Sequence, residues 1–481
     1  MNHLGSLTIY FCWIVLISGI WLIIFFRTSV AGAFESLEYL SREQWYLGGI
    51  MRSLHRYASD AAVLLLALHV IKEFSFDRYR PKRWFSWITG LPLVWIVFPL
   101  GITGYWLVWD KLAQYVAITS AELLDRLPIF TDSMAGNFLS DAALSDRFFT
   151  LMAFLHLIGL PIFLVFGIWL HVFRLSRPEI NPPRRLMAGA LLAMLMLSLV
   201  FPAQSQDRAN LALAPQILDM DWFYLHFYPL VQIWSPGWVW FTLVAVSVLI
   251  LLAPWLPPGR KELPAVVSLD NCNGCQRCAD DCPYGAIQMA PRSDGTSYLR
   301  EAVVDSDLCV SCGICVGACP TASPFRTRSE LVPGIDLPSL AASELRVAIG
   351  NAAENLVGKD RVLAFACRGS RDAQSLSAAG EALVQVQCMG QIPPAFFDYV
   401  LSRNHADGIF LAGCTDQGCR YRLGSSWTGQ RIGRTRDPRL RKRIDTRRIA
   451  LGWTDSPDGS VLRRLQAFRK DLQRQSAESA P

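Results

Sequence analysis

Five stretches without a charged residue, Leu7 to Phe26, Trp84 to Trp109, Phe148 to Phe173, Leu186 to Ala203 and Trp238 to Leu256, punctuate the first half of the chain, and a sixth apolar run, Ile50 to Ile71, falls among them. Most reach the ~20 residues an α-helix needs to cross a bilayer, and Leu186 to Ala203 lies just within the tolerated range. The pattern predicts an all-α bundle of six transmembrane helices. No Lys or Arg precedes the first run, so it is expected to be a retained helix and not a signal peptide. Beyond Leu256 charged residues and cysteines take over. Short β-like runs at Arg361 to Ala366, Ala382 to Gln387 and Asp407 to Ala412 alternate there with helical stretches, which predicts an α/β region with a small sheet. Neither Thr321 to Asp360 nor the end of the chain after Ser456 has a pattern that decides its structure.

Loop charge orients the bundle. Lys72, Arg78, Arg80, Lys82 and Arg83 follow the second apolar run, and Arg174, Arg177, Arg184 and Arg185 follow the fourth, whereas the loop from Asp110 to Arg147 is mostly acidic. Positive charge stays inside, so both termini and everything after Leu256 are expected in the cytoplasm, on a multi-pass protein of the cytoplasmic (inner) membrane. His55 and His156 then lie near the outer face, His69 and His171 near the cytoplasmic face.

Those four histidines form a pattern. His55 and His69 are 14 residues apart and His156 and His171 are 15 apart, so each pair returns to nearly one face of its helix, roughly 21 Å apart along the axis. A histidine on an apolar helix is often a satisfied core residue, but ionisable groups in lipid are costly and rarely idle. Gly5 and Gly19, and Gly90 and Gly104, repeat the 14-residue spacing. Glycine suits both close helix packing and a flat ring approaching the backbone; together with the histidines, the two pairs point to two stacked haems.

At Leu4-Gly5-Ser6, Ile50-Met51-Arg52-Ser53-Leu54-His55, Ile102-Thr103-Gly104-Tyr105-Trp106-Leu107-Val108-Trp109-Asp110 and Arg126-Leu127-Pro128-Ile129 the chain resembles the cytochrome b family of quinol-oxidising bc and bf complexes. The resemblance covers Leu4 to about Leu256, and the 15-residue spacing is similar to the bf branch. It implies that His55 pairs with His156 and His69 with His171 on two b haems, that Arg52 approaches a haem propionate, that Gly5, Gly19, Gly90 and Gly104 contact the haems, and that the protein is a homodimer. Ala214 to Tyr224 resembles the family's Pro-Glu-Trp-Tyr segment at the outer quinol site, with Met220, Asp221 and Phe223 at the proline, glutamate and tyrosine positions. Asp221 is either a proton acceptor for a quinone substrate or a solvated loop carboxylate. The cysteine that tethers a third haem in the bf branch is replaced by Asn2-His3, and Cys12 reads as a small buried hydrophobe, so no covalent haem is expected.

After the proline-rich linker Pro254 to Pro264, Cys272-x2-Cys275-x2-Cys278-x3-Cys282-Pro283 is repeated as Cys309-x2-Cys312-x2-Cys315-x3-Cys319-Pro320. This is the spacing of bacterial two-cluster ferredoxins, in which the fourth cysteine of each run crosses to the other cluster. Cys272, Cys275, Cys278 and Cys319 are expected to hold one [4Fe-4S] cluster, and Cys309, Cys312, Cys315 and Cys282 the other. Zinc sites lack the trailing Cys-Pro, and a cytoplasmic compartment disfavours disulfides.

The β-like runs end at or near Cys367, Cys388 and Cys414, with Cys419 five residues on, which suggests a third metal centre at one sheet edge. Val386-Gln387-Cys388-Met389-Gly390-Gln391-Ile392 and Asp407 to Tyr421 are similar to the delta subunit of methyl-viologen-reducing hydrogenase. That resemblance, over Arg361 to Asp455, implies a [2Fe-2S] cluster on Cys367, Cys388, Cys414 and Cys419, relaying electrons between a soluble dehydrogenase and a heterodisulfide-reductase-like flavoprotein; zinc is the alternative. Eleven Lys and Arg residues between Arg420 and Arg448 read as a solvated face or as a docking surface for an acidic redox partner or anionic lipid. No stacking or groove-reading motif accompanies them, so no nucleic acid is expected.

The expected domains are a six-helix cytochrome b-like bundle at 1–258, an α+β ferredoxin-like domain at 265–325, an α/β delta-subunit-like domain at 358–456 and a tail at 457–481. No nucleotide loop, flavin fingerprint or nucleophile triad is present, so the chain is expected to be an oxidoreductase complex subunit that moves electrons for its partners. The leading reading links a cytoplasmic flavoprotein or dehydrogenase to the membrane quinone pool. A quinol-oxidising subunit working with a separate Rieske protein and a redox scaffold without quinone chemistry are the alternatives.

Overall fold

The computed structural model describes residues 3–75, 79, 84–128, 133, 145–173, 178, 180–215, 217–256, 263–325, 330–358, 360–368, 370–414, 419–453 and 460–478. The chain divides into two units, His3–Gly259 and Arg260–Pro481. Most loop charges used for orientation, from Arg78 to Arg83 and from Arg174 to Arg177, and much of the linker after Trp255 lie outside the described residues.

The first unit is helical. Its long elements are α1 Leu4–Ile23, α3 Ile50–Ser75, α4 Trp84–Val108, a broken helix made of α6 Asp146–Phe154 and α7 Leu160–Val172, α8 Arg184–Val200 and α10 Pro236–Leu252, and its shorter ones are α2 Gly32–Arg42, α5 Lys111–Asp125 and α9 Tyr228–Ile233. Among the described residues five helices are long and apolar enough to cross a membrane. The sixth expected span, α8, has 17 residues and opens on Arg184 and Arg185, so the six-helix count does not stand on length. Nor is the stretch after Asp110 simply a loop: the Asp110 carboxylate accepts from Ala113 N at 2.9 Å and caps α5, whose Leu112, Val116, Ala117 and Ala121 join a buried core with Tyr105, Trp109 and Tyr228. The α1 helix packs on α3, and α4 on α7. Trp13, Ile17, Ile162, Phe163 and Trp169 stay exposed, as suits side chains that meet lipid.

Among the described residues two π turns interrupt this unit, Trp45–Gly49 and Leu155–Gly159. The second contains His156. A regular helix would rotate two residues 15 apart by roughly 60° relative to each other, and a π turn holds one more residue per turn. It therefore absorbs the extra residue and leaves His156 and His171 facing as a 14-residue pair would.

The second unit begins with two antiparallel pairs. One is β1 Val266–Val267 with β4 Ile335–Asp336, the other β2 Ile287–Pro291 with β3 Arg300–Val304. Short helices α11 Arg277–Asp280 and α12 Ile314–Ala318 sit in the cysteine loops. The helix α13 Ala342–Glu354 follows, in the stretch whose pattern was undecided. Next come β5 Val362–Cys367, α14 Arg371–Ala378, β6 Leu383–Val386, α15 Pro394–Ser402, β7 Gly408–Ala412, α16 Gly424–Ile432, β8 Ile449–Leu451 and α17 Ser460–Glu478. Among the described residues the strands form a parallel sheet in the order β6-β5-β7-β8.

Alternation along β5 and β7 sends Leu363, Phe365, Ile409 and Leu411 to a face covered by α13 and α15, and Val362, Ala364, Phe410 and Ala412 to a face covered by α14 and α17. Both faces of a parallel sheet must be covered. This corrects the expectation of a tail at 457–481: Val461, Leu465, Phe468 and Leu472 of α17 are buried against the sheet.

Candidate functional site

In the membrane unit the histidines of α3, of the π turn Leu155–Gly159 and of α7 turn inward against glycines of α1 and α4. A Cβ added at Gly19 would lie 3.0 Å from His55 Cε1, at Gly104 2.9 Å from His156 Cε1, at Gly5 3.2 Å from His69 Cε1 and at Gly90 3.2 Å from His171 Cε1. The missing side chains make room for the imidazoles. Ser18, Thr103 and Thr89 directly precede three of these glycines and add hydroxyls 3.1, 3.2 and 3.4 Å from Nδ1 of His55, His156 and His171. Sequence reading missed them, although a hydroxyl residue before a repeated glycine was visible.

The His55 Nδ1–H donates to the Val15 carbonyl at 3.0 Å and the His156 Nδ1–H to the Leu100 carbonyl at 2.9 Å. A carbonyl only accepts, so Nε2 of each ring is left with a lone pair, as metal-ligating histidines require. The two ring centres are 6.3 Å apart. Nitrogens each ~2 Å from one shared metal put imidazole centres roughly 6 Å apart, so this pair fits the axial positions of a haem. His69 and His171 form the second juxtaposition, with His69 Nδ1 4.0 Å from Glu73 Oε1. Arg52 is buried and engaged by the protein itself, through Ser205 Oγ at 2.7 Å, Ser41 and Glu38 at 3.6 Å.

Asp221 is no solvated loop carboxylate. It is buried, ion-paired to Arg56 at 2.8 Å, and accepts from Phe223 N at 2.7 Å and from the Tyr105 hydroxyl. The Tyr224 ring lies over Gly101 and its hydroxyl meets Ser59 Oγ at 2.6 Å, which fixes the segment. Arg56 also pairs with Asp60 at 3.3 Å, so two buried carboxylates share one guanidinium. Asp60, one turn beyond Arg56 in an apolar helix, was the unread signal.

In the second unit the cysteines gather into three quartets. Cys272, Cys275, Cys278 and Cys319 line one pocket with Met289, Ala302 and Ile335. Burial and the neighbouring thiols push the Cys278 thiol up to about 12. Cys282, Cys309, Cys312 and Cys315 form a second set within electrostatic range of one another. In each, the fourth cysteine of one run has crossed to the other, and the donor sets fit four-thiolate clusters.

The third set stands at the C-terminal edge of the parallel sheet. Cys367 ends β5, Cys388 and Cys414 lie two residues past β6 and β7, and Cys419 opens the turn before α16. Their thiols form a hydrogen-bonded series, Cys367 with Cys414, Cys414 with Cys419 and Cys419 with Cys388. Those bonds hold Cys367 and Cys419 below the ordinary thiol value and push Cys388 and Cys414 above it. A Cβ at Gly424 would strike the Cys388 sulfur. The quartet abuts the second set: Cys312, Ile314, Cys388, Tyr421 and Trp427 form one buried cluster.

Much of the basic stretch is paired with carboxylates of the second unit. Arg431 and Arg436 pair with Asp281, Arg441 and Arg443 with the fully buried Asp398, Arg439 with Asp437 and Arg447 with Asp445, while Arg448 donates to the Asp407 carbonyl. The buried carboxylates Asp281 and Asp398 require such partners, while the side chains of Arg439, Arg441, Arg443 and Arg447 stay more than half exposed.

Residues 1–178 match the family described as Cytochrome b/b6/petB, residues 271–323 the 4Fe-4S dicluster domain, and residues 362–474 the methyl-viologen-reducing hydrogenase, delta subunit. Cytochrome b6 of Prochlorothrix hollandica is 27% identical over 37% of this chain and 81% of that protein. Cytochrome b6 of Synechococcus sp. (strain JA-3-3Ab) is 26% identical over 37% of this chain and 83% of that protein. A solved structure titled Hyperthermophilic respiratory Complex III aligns with a TM-score of 0.43 and 21% identity over 53% of this chain and 74% of that one. One polypeptide thus carries regions that match cytochrome b/b6, a 4Fe-4S dicluster domain and a hydrogenase delta subunit, the first on several apolar helices, a combination that points to membrane electron transfer.

Proposed function

We propose that this chain relays electrons between a cytoplasmic flavoprotein or dehydrogenase, of heterodisulfide-reductase or hydrogenase type, and the membrane quinone pool. Cys367, Cys388, Cys414 and Cys419 would hold a [2Fe-2S] cluster, the two ferredoxin quartets a [4Fe-4S] cluster each, and His55 with His156 and His69 with His171 two b haems. The cofactors supply the one-electron chemistry; the protein excludes water, fixes their spacing and sets their potentials. The second unit lies in the cytoplasm in this reading, and the complex is built around a homodimer.

The observation that carries the proposal is the shared cluster of Cys312 and Cys388. It puts the third quartet beside a ferredoxin quartet with no solvent gap, as successive stations of one wire would be. Electrons pass from the partner to the Cys388 centre, through the two ferredoxin centres, then to the haem of His69 and His171, with the haem of His55 and His156 beyond it. A Cys414→Ser, Cys419→Ser double variant should keep both haems and both [4Fe-4S] clusters, lose haem reduction by the partner, and remain reducible by small soluble donors. Unchanged partner-driven reduction would put the terminal centre off the path.

The quinol-oxidising alternative draws on the buried Asp221 and Asp60 carboxylates that share Arg56. A quinone-analogue inhibitor that blocks haem reduction from the outer side in wild type but not in an Asp221→Ala variant with intact haem would favour it.

A further inference from the structure

Arg431 is 1% exposed, one of the largest side chains wholly enclosed in the second unit. Its Nη2 donates to Asp281 Oδ2 at 2.6 Å and its Nη1 to the Gly390 carbonyl at 3.0 Å, while its Nε has no hydrogen-bond partner among the described residues. These contacts join two cysteine loops, because Asp281 directly precedes Cys282 and Gly390 lies two residues after Cys388. Gly317 has no side chain where one would collide with the Gly390 carbonyl and crowd the guanidinium. Arg436 reaches the same carboxylate, with Nε 3.1 Å from Asp281 Oδ1, and stacks 4.0 Å over Trp427.

The local charge does not balance. Two guanidinium groups share one carboxylate, which leaves a surplus positive charge in a water-poor site. A latch for stability alone gains nothing from this, since buried ion pairs rarely improve on apolar packing. Its burial lowers the Arg431 pKa, while Asp281 and the Cys388 sulfur favour its charged form. The excess charge and the unpartnered N–H are both what a nearby polyanion would satisfy.

We infer that Arg431, seconded by Arg436, is the shared counter-charge of the Cys388 centre and the Cys282, Cys309, Cys312 and Cys315 centre, and raises the electron affinity of both. The inference rests on reading these quartets as iron-sulfur centres. Each reduction adds one electron, and so one negative charge, to a thiolate-bound cluster, and the potential follows local charge and hydrogen bonding to sulfur. A fixed cation between two neighbouring centres stabilises both reduced forms and keeps the step between them small. Arg431 is in this sense a positioning residue that acts through charge.

The test is a redox titration followed by electron paramagnetic resonance on the full-length protein in nanodiscs, with iron and sulfide counted first. Arg431→Met and Arg436→Gln should lower the midpoints of these two centres and Asp281→Asn should raise them, each by about a tenfold change in electron affinity, ~59 mV for one electron. Arg431→Lys should recover much of the loss, and the Cys272, Cys275, Cys278 and Cys319 centre should move least. A purely mechanical latch would loosen alike in Arg431→Met and Asp281→Asn, so shifts of the same sign, or none, overturn the inference. If Arg431→Met sheds a cluster, Arg436→Gln decides, and unchanged midpoints there overturn it equally. Wild-type protein without iron and sulfide at these quartets would instead sink the functional reading beneath it.

Discussion

Gly104→Ala isolates the closest approach in the membrane unit. The added Cβ would lie 2.9 Å from His156 Cε1, while carbons rest at about 3.5–4.0 Å, so the ring must retreat by roughly half an ångström or more. It cannot do so freely, because its Nδ1 is held by the Leu100 carbonyl and Thr103 on the same turn. Overpacking of this kind costs about 1–3 kcal/mol, and borne by the bound form it weakens haem retention by roughly 5- to 150-fold. Gly189→Ala is the control: nothing lies within 4 Å of its added Cβ, and alanine favours a helix over glycine by about 1 kcal/mol. The assay is haem b per polypeptide, from the pyridine haemochrome and the dithionite-reduced spectrum. Gly104→Ala should fall from two haems toward one, keeping the haem of His69 and His171, while Gly189→Ala keeps both. Two full haems with an unaltered spectrum in Gly104→Ala would refute the placement of His156 against this glycine.

Cys319→Ser should remove the cluster of Cys272, Cys275 and Cys278 and spare that of Cys309, Cys312 and Cys315, read as iron per chain and by paramagnetic resonance; the reverse loss would contradict the crossing of the fourth cysteine. Arg56→Gln strands the buried Asp60 and Asp221 carboxylates without their cation and should destabilise the first unit, by less than the about 3–5 kcal/mol of a fully buried pair because the Arg56 side chain is 39% exposed. Adding Asp60→Asn should recover part of that, and thermal unfolding in detergent that shows neither effect counts against the shared pairing. Phe468→Ala should destabilise the second unit by about 3–5 kcal/mol, measured by denaturant unfolding, whereas a free tail would tolerate it.

What the sequence by itself determined was periodic or spaced. Apolar runs announced the spans, and the 14-residue repeats put histidines and glycines on single helix faces, because both follow from the fixed rise and twist of a helix. The cysteine runs announced two quartets, since cluster chemistry demands that spacing. Beyond the reach of spacing lay which faces meet. The π turn that lets a 15-residue pair behave as a 14-residue one, the second carboxylate on Arg56, and the helix from Ser460 that covers the sheet all depend on packing between segments far apart in the chain. The eleven basic residues after Cys419 illustrate the limit most clearly. On the page they are a charged patch, and only the fold, by burying Asp281 and Asp398 beside them, turned several into counter-ions of buried carboxylates. A charge pays for its burial only against a partner, and where that partner lies is decided in three dimensions.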